Sequence, residues 1–231
     1  MTNRHVSPTI SVIIPAFNAA RYLGEAIASV RAQTLQPSGI IVVDNASTDA
    51  TPRIALECGA RCEHEPLRGS GRARNRGVAA ADGDFLAFLD ADDLWTPQKL
   101  EWQMALLEAQ PDVDAAFGHI AHFLSPDLPP GDAGKLYCPE GAAPVRLPSL
   151  MLIRRAAFGR VGPFSTDGSV GDVVEWMARA EVAGMRHAMV PHVVCQRRIH
   201  ATNMGRVLRD ERTNYLRIIK QKLDRERAAG K

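Results

Sequence analysis

The chain has 231 residues, 45% hydrophobic and 23% charged, which fits one large domain or one and a half with a sizeable core. A net charge of +2 argues against a dedicated nucleic-acid binder, and no stretch approaches the 18 apolar residues of a membrane span. Cys58, Cys62, Cys138 and Cys195 form no CxxC pair and have no His at finger spacing. Buried free thiols in a reducing cytosol are therefore expected, not disulfides or a zinc site.

Met1 to Pro8 is polar and only a short apolar run follows, so no secretory leader is expected. Ile10 to Ile14 reads as a buried strand stopped by Pro15. Asn18 can cap the helix after it, which carries Leu23, Ile27 and Val30 on one stripe. Gly39 introduces a second buried strand, Ile40 to Val43, which runs into Asp44-Asn45-Ala46-Ser47-Thr48-Asp49. Thr51-Pro52 starts another helix that ends at Gly59, and Arg61 to Glu65 reads as a short third strand. Strand and helix alternating at this spacing predict an α/β doubly wound sheet.

Gly69 to Gly77 opens a helix and resembles a dinucleotide fingerprint at first sight. The third glycine of that pattern would fall at Arg74, and no apolar strand immediately precedes the run, so a nicotinamide-dependent dehydrogenase is rejected. The helix leads into Asp84-Phe85-Leu86-Ala87-Phe88-Leu89-Asp90-Ala91-Asp92-Asp93, the stretch around which the chain is organised. Its apolar run suits a strand buried on both faces, and ligands bind such sheets beyond the carboxyl ends of the strands. Asp90 and Asp92, two apart, project to the same side and repel each other unless a cation sits between them; a hard divalent ion suits oxygen ligands. The plainer reading is an Asp-rich turn before a helix, but Thr96 as cap and Pro97 as first residue would start that helix without them.

That helix runs to about Ala109, and Val113 to Gly118 reads as a further strand. Ser125 to Pro148 holds six prolines and three glycines in 24 residues, which suggests a mobile or substrate-covering loop. Leu150 to Ile153 restores a strand. Asp172 to Ala183 is expected to be helical, with Val173, Val174, Trp176, Met177 and Ala180 on its apolar side and Asp172, Glu175 and Arg179 opposite. A last strand near Val193 to Cys195 leads into Arg197-Arg198-Ile199-His200. From Gly205 onward nine Lys/Arg face four Asp/Glu, and 206–227 reads as a basic amphipathic helix. That helix packs on its own domain, pairs two subunits in a homodimer, or lies on an anionic membrane surface.

Six segments, in order, resemble the family 2 glycosyltransferases of the GT-A fold. They are Ser-Val-Ile-Ile-Pro-Ala-Phe-Asn (11–18), Val-Val-Asp-Asn-Ala-Ser-Thr-Asp (42–49), Ala-Arg-Asn-Arg-Gly (73–77), Phe-Leu-Asp-Ala-Asp-Asp (88–93), Arg-Arg…Val-Gly-Pro-Phe (154–164) and Arg-Arg-Ile-His (197–200). The resemblance implies a Rossmann-like, mostly parallel central sheet flanked by helices. It places a nucleotide-sugar-binding half over 1–124, an acceptor-side half with the Pro/Gly-rich loop over 125–204, and the basic helix over 205–231. It also implies a metal-dependent, inverting transfer of a hexose or N-acetylhexosamine to an acceptor that is a sugar, lipid-linked or a peptide, in the cytoplasm or at the inner face of the membrane. The donor would be a UDP-sugar first, with dTDP and GDP open because thymine and guanine also carry a ring N–H.

In such enzymes the carboxylate matching Asp44 accepts a hydrogen bond from the uracil ring; as a plain turn residue it would satisfy local amides. Pro15 and Phe17 would shape the base pocket. Arg74 would lie near the diphosphate, or else be a solvated helix residue. Asp90, Ala91 and Asp92 match the DxD motif, which would hold Mn²⁺ or Mg²⁺ against the diphosphate and so stabilise the charge of the leaving group. His200 matches a histidine that contacts metal or diphosphate in some relatives, and is otherwise structural. Asn203 and Arg198 can steady the same loop, while Trp176 is expected to pack in the core.

An inverting transfer needs a base for the acceptor hydroxyl. The family places it in a Glu-Asp pair at a helix start, where this chain has Gly171-Asp172. Asp172 is preferred, although its charge also suits a helix N-terminus; Glu175 is the rival, although it stands four residues before Arg179 for an ion pair. A non-catalytic sugar-nucleotide-binding scaffold is the alternative, favoured only by Gly171. A sugar nucleotidyltransferase is disfavoured because Pro15-Ala16-Phe17-Asn18 replaces the Gly-rich basic loop expected there.

Overall fold

A computed structural model describes residues 8–129, 131, 133–166 and 171–203. One nine-stranded sheet carries the fold, in the order β3-β2-β1-β4-β8-β6-β9-β5, with β7 pairing β6. The strands are β1 (Ile10–Ala16), β2 (Gly39–Asp44), β3 (Arg61–His64), β4 (Phe85–Phe88), β5 (Leu94–Trp95), β6 (Ala115–Leu124), β7 (Ala143–Pro144), β8 (Leu152–Arg154) and β9 (His187–Ile199). The helices are α1 (Leu23–Arg31), α2 (Thr51–Glu57), α3 (Ser70–Ala80), α4 (Lys99–Ala109), α5 (Arg155–Val161) and α6 (Asp172–Val182).

β1 sits at the centre because Val12, Ile13 and Ile14 are fully buried between helix layers, and its neighbours are equally apolar. The chain winds from β1 through α1 to β2 and through α2 to β3, then returns by α3 to β4 on the other side of β1. That reversal creates a switch point between the ends of β1 and β4, where α/β sheets bind ligands. The expected parallel arrangement holds across β3-β2-β1-β4. Beyond β4 the sheet is mixed: β8 runs antiparallel to both β4 and β6, while β6 and β9 are parallel. Strands from before and after residue 124 thus share one sheet.

Gly77 lets α3 lie close on that sheet. A Cβ there would meet Ile13 Cγ2 at 2.3 Å and Val43 Cγ2 at 3.2 Å. α1 buries Leu23, Ala26, Ile27 and Val30, the stripe its spacing predicts.

Several helix starts differ from expectation. Asn18 does not cap α1, whose first turn opens at Tyr22 without a side-chain cap. Asn18 instead accepts the Thr48 backbone N–H at 2.8 Å, tying the β1 and β2 loops together. Thr51 is inside α2, and Asp49 accepts its N–H at 2.9 Å. Thr96 donates its hydroxyl to Val193 O at 2.8 Å, so α4 begins three residues later, at Lys99. For Asn18 and Thr96 a tertiary partner took the side chain that local pattern assigned to a cap.

On α6, Trp176 is fully buried and donates Nε1–H to Gly162 O at 2.8 Å, as core packing requires. The two faces are otherwise redistributed: Val174 is 43% exposed and Asp172 is buried. Of the cysteines, only Cys195 is buried; Cys58, Cys62 and Cys138 are partly exposed, and all are free thiols. The segment 125–148 is not wholly irregular, since β7 joins the sheet and Ala133–Lys135 forms a 3-10 turn. Its start is fastened by Asp127, which Arg21 and Tyr22 contact. The basic helix expected over 206–227 lies outside the described residues.

Candidate functional site

Three carboxylate stations stand over the strand ends at the switch point. The first is Asp44, the last residue of β2, paired in register with Ala16 at the end of β1. Its side chain is 6% exposed. Oδ1 accepts the Ser47 N–H at 3.1 Å, and Oδ2 lies 3.1 Å from His64 Nδ1. The Ser47 contact requires a sharp turn, and Ala46 provides it at φ 59, a left-handed conformation uncommon for alanine. Pro15 lies beside Val43 on the adjoining strand. Phe17 projects beyond the end of β1, 39% exposed, and the Arg68 guanidinium lies over its ring. Arg68 also donates to Asn45 O at 2.9 Å. Desolvation lowers its pKa, and the neighbouring Asp44 opposes that shift.

The second station is the loop leaving β4. Ala91 is buried, which turns Asp90 and Asp92 outward on either side of it. Asp92 Oδ2 lies 3.0 Å from His200 Nε2, and Asn203 Nδ2 donates to the same oxygen at 3.3 Å. His200 is oriented from behind, its Nδ1 being 2.9 Å from Thr202 Oγ1, and its ring packs 4.9 Å from that of Tyr22. Burial pushes the Asp92 carboxyl up, but the His200 hydrogen bond and charge outweigh it and hold the group below the usual carboxylate range.

Asp93 points the other way, into the protein. Burial and the charges of Asp92 and Asp90 raise its pKa well above the ordinary value. It accepts the Arg198 backbone N–H at 3.0 Å. The Arg198 side chain is 2% exposed, donates to Asp92 O at 3.0 Å and to Glu25 at 2.6 Å, and lies against the Tyr22 and Phe123 rings. One buried guanidinium therefore fixes the backbone of the acidic loop from the far end of β9.

The third station is the start of α6. Asp172 Oδ2 accepts from Ser70 Oγ at 2.8 Å and from Arg74 at 3.0 Å, and Oδ1 accepts the Val173 N–H at 2.9 Å. Glu175 is paired with Arg179 Nε at 2.8 Å, which realises the helical ion pair. Gly171 has φ 101 and ψ 0, so the position where the family carries Glu is one that side chains occupy only with strain. Arg74 joins the second and third stations. It is buried, and its other terminal nitrogen donates to Asp90 Oδ1 at 3.0 Å.

The structure thus brings Asp44, Phe17, Arg74, Asp90, Asp92, His200 and Asp172 to one end of the sheet. Glu175, the rival base, is paired with Arg179 one turn along α6. Sequence reasoning missed His64, Arg68 and Ser70 as neighbours of the site. His64 ends the third strand beside Asp44, and Ser70 stands four residues before Arg74, so both signals were present but only as spacing.

No group of three or more His, Cys, Asp or Glu side chains among the described residues is set to hold a metal ion. Asp92 and His200 bring a carboxylate oxygen and a ring nitrogen within 3.0 Å, a mixed donor pair that would fit a divalent cation such as Mn²⁺ better than one demanding oxygen ligands alone. Asp90, the third expected ligand, is engaged by Arg74.

The profile of Glycosyl transferase family 2 matches residues 11–164. Among curated relatives, the UDP-Glc:alpha-D-GlcNAc-diphosphoundecaprenol beta-1,3-glucosyltransferase WfgD of Escherichia coli is 36% identical over 102 residues, covering 42% of this chain and 40% of that protein. The chain spans less than half the length of the curated relatives it matches. Glucosyl-3-phosphoglycerate synthase from Mycobacterium tuberculosis, solved with Mn²⁺, UDP and glucosyl-3-phosphoglycerate, superposes with a TM-score of 0.67 at 21% identity, over 94% of this chain and 80% of that one. The mannosyltransferase PcManGT from Pyrobaculum calidifontis, solved with GDP-Man and Mn²⁺, gives a TM-score of 0.65 at 25% identity, over 86% and 59%.

Proposed function

The chain belongs to glycosyl transferase family 2, and from that premise we propose that it is a metal-dependent, inverting glycosyltransferase using a UDP-sugar. The observation that carries the reading is the convergence of Asp44, the Asp92–His200 pair and Asp172 on one switch point. Asp44 receives the ring N–H of the base, with Pro15 and Phe17 beside it. Asp92 and His200 hold Mn²⁺ or Mg²⁺, with Asp90 at the edge of the same site. When bound, such a cation offsets the charge that grows on the leaving nucleoside diphosphate.

The chain's own residues do the rest. The acceptor hydroxyl oxygen bonds to the anomeric carbon as the bond from that carbon to the diphosphate oxygen breaks, and its electron pair leaves with the nucleotide. The hydroxyl proton passes to the Asp172 carboxylate. Attack from the face opposite the leaving group inverts the anomeric centre. The solved complexes of similar fold contain UDP or GDP-Man with Mn²⁺, which supports a nucleotide-sugar donor and a divalent cation. WfgD is named for a lipid-diphosphate acceptor; here the acceptor class stays a sugar, a lipid-linked sugar or a peptide.

A binding-only protein is the second reading. What favours it is that Asp172 already accepts three donors, and that Gly171 replaces the acidic neighbour. It predicts donor binding without transfer and without donor hydrolysis.

Calorimetric titration of UDP into wild type and Asp92→Ala, each with Mn²⁺ and with chelator, tests the main reading. Metal-dependent binding that disappears in Asp92→Ala is expected. Binding that ignores metal, or no binding of UDP, GDP or dTDP, would refute it.

A further inference from the structure

Arg74 is placed to serve two masters. Its side chain, 8% exposed, donates to Asp90 Oδ1 on the donor side and to Asp172 Oδ2 on the acceptor side, each at 3.0 Å. Its Nε–H is buried without a hydrogen-bond partner among the described residues. A buried donor left unpaired is costly, so this arginine holds hydrogen-bonding capacity that its present partners do not use.

The surroundings make the arrangement rigid. Ser70 and Arg74 lie one turn apart on α3 and both reach Asp172 Oδ2. Gly71 between them permits close docking: a Cβ there would fall 2.2 Å from Ser165 O and 3.3 Å from Asp172 Oδ2. The beginning of α3 is thus locked to the beginning of α6 across the candidate site.

We propose that Arg74 is a positioning residue contested between Asp172 and the donor's diphosphate, so that donor binding frees Asp172 to act as base. This inference rests on the donor reading above. A carboxylate that accepts Ser70, Arg74 and the Val173 N–H has three of its lone pairs turned to donors of its own chain instead of an acceptor hydroxyl. A diphosphate arriving beside Asp90 and Asp92 presents several anionic oxygens to a planar guanidinium suited to phosphate. Turning the guanidinium to present Nε and Nη1 to those oxygens draws Nη1 away from Asp172. The Asp172 carboxylate is then free to meet an acceptor hydroxyl only when donor is present.

Linkage gives the test, because competition for one guanidinium is reciprocal. If Asp172 holds Arg74 away from the donor, weakening that hold must tighten nucleotide binding. UDP affinity in the presence of Mn²⁺ is measured by calorimetry for wild type, Asp172→Asn, Arg74→Gln and the double variant. Asp172→Asn is expected to bind UDP about fivefold tighter or more. Arg74→Gln binds more weakly, Arg74→Lys recovers part of the loss, and the gain from Asp172→Asn vanishes in the Arg74→Gln background. A merely structural Asp172 would leave UDP affinity unchanged or reduce it. Thermal unfolding is followed in parallel, and Asp172→Ser is run beside Asp172→Asn so that either variant with a wild-type midpoint decides the point. Unchanged or weaker binding by that variant, or a gain that persists without Arg74, overturns the proposal while leaving the donor reading intact. Wild type that binds no UDP removes the donor reading, and this inference with it.

Discussion

Lys99 is fully buried on α4, with Nζ 2.7 Å from Gln103 Oε1, 3.5 Å from Met151 O and 4.2 Å from the centre of the Trp95 ring. Burial pushes its pKa down from the ordinary 10.5 to about 7. The folded value lies below the unfolded one, so between these limits the unfolded chain binds more protons, and stability must rise with pH. Integrating that linkage from pH 6 to about pH 8.5 gives a gain of about 2 kcal/mol for this one residue. The upper limit stays below the ordinary thiol value of 9.0, because burial raises the Cys195 thiol and its titration would work in the opposite sense.

The perturbation is Lys99→Met, which keeps the length of the side chain and removes the charge. Urea unfolding of wild type and variant at pH 6 and pH 8.5 reads the effect. With an m-value of about 3 kcal/mol/M, the wild-type midpoint should move up by about 0.7 M relative to the shift seen in the variant. The comparison cancels the histidines, which titrate in both proteins. Parallel pH dependence in the two proteins would refute the reasoning, and so would a wild type that loses stability toward pH 8.5 while the variant does not.

Gly77→Ala drives a methyl into Ile13 and Val43 beneath α3, so a loss of about 1–3 kcal/mol is expected in chemical denaturation. Gly171→Glu restores the acidic residue of the family pattern but forces it into a left-handed backbone. A cost of about 1–2 kcal/mol is expected, without a gain in transfer rate; a faster enzyme would contradict that reading. In native protein a thiol reagent should modify Cys58 and Cys138, reach Cys62 more slowly because burial and Asp44 raise its thiol pKa, and spare Cys195, which is fully buried with its pKa raised further. Mass spectrometry of the labelled peptides checks this, and rapid native labelling of Cys195 would count against the placement of β9.

Apolar pattern and chain order were enough to place the parallel strands β3-β2-β1-β4. Runs such as Ile10 to Ile14 and Phe85 to Leu89 are short, rich in β-branched or aromatic residues and bounded by Pro or Asp, which favours strands buried on both faces over buried helix. Once those strands are set, Asp44, Asp90 and Asp92 fall at their carboxyl ends from chain order alone. Pairings between residues far apart in the chain became legible only in the folded molecule. Arg74 and Asp172 are separated by 98 positions, Asp92 and His200 by 108, and Asp93 and Arg198 by 105. No local period reports such contacts. The same limit explains why Asn18 and Thr96 left their expected caps: a hydrogen-bonding side chain takes the best partner the folded chain brings near, and that partner is invisible until distant strands are side by side.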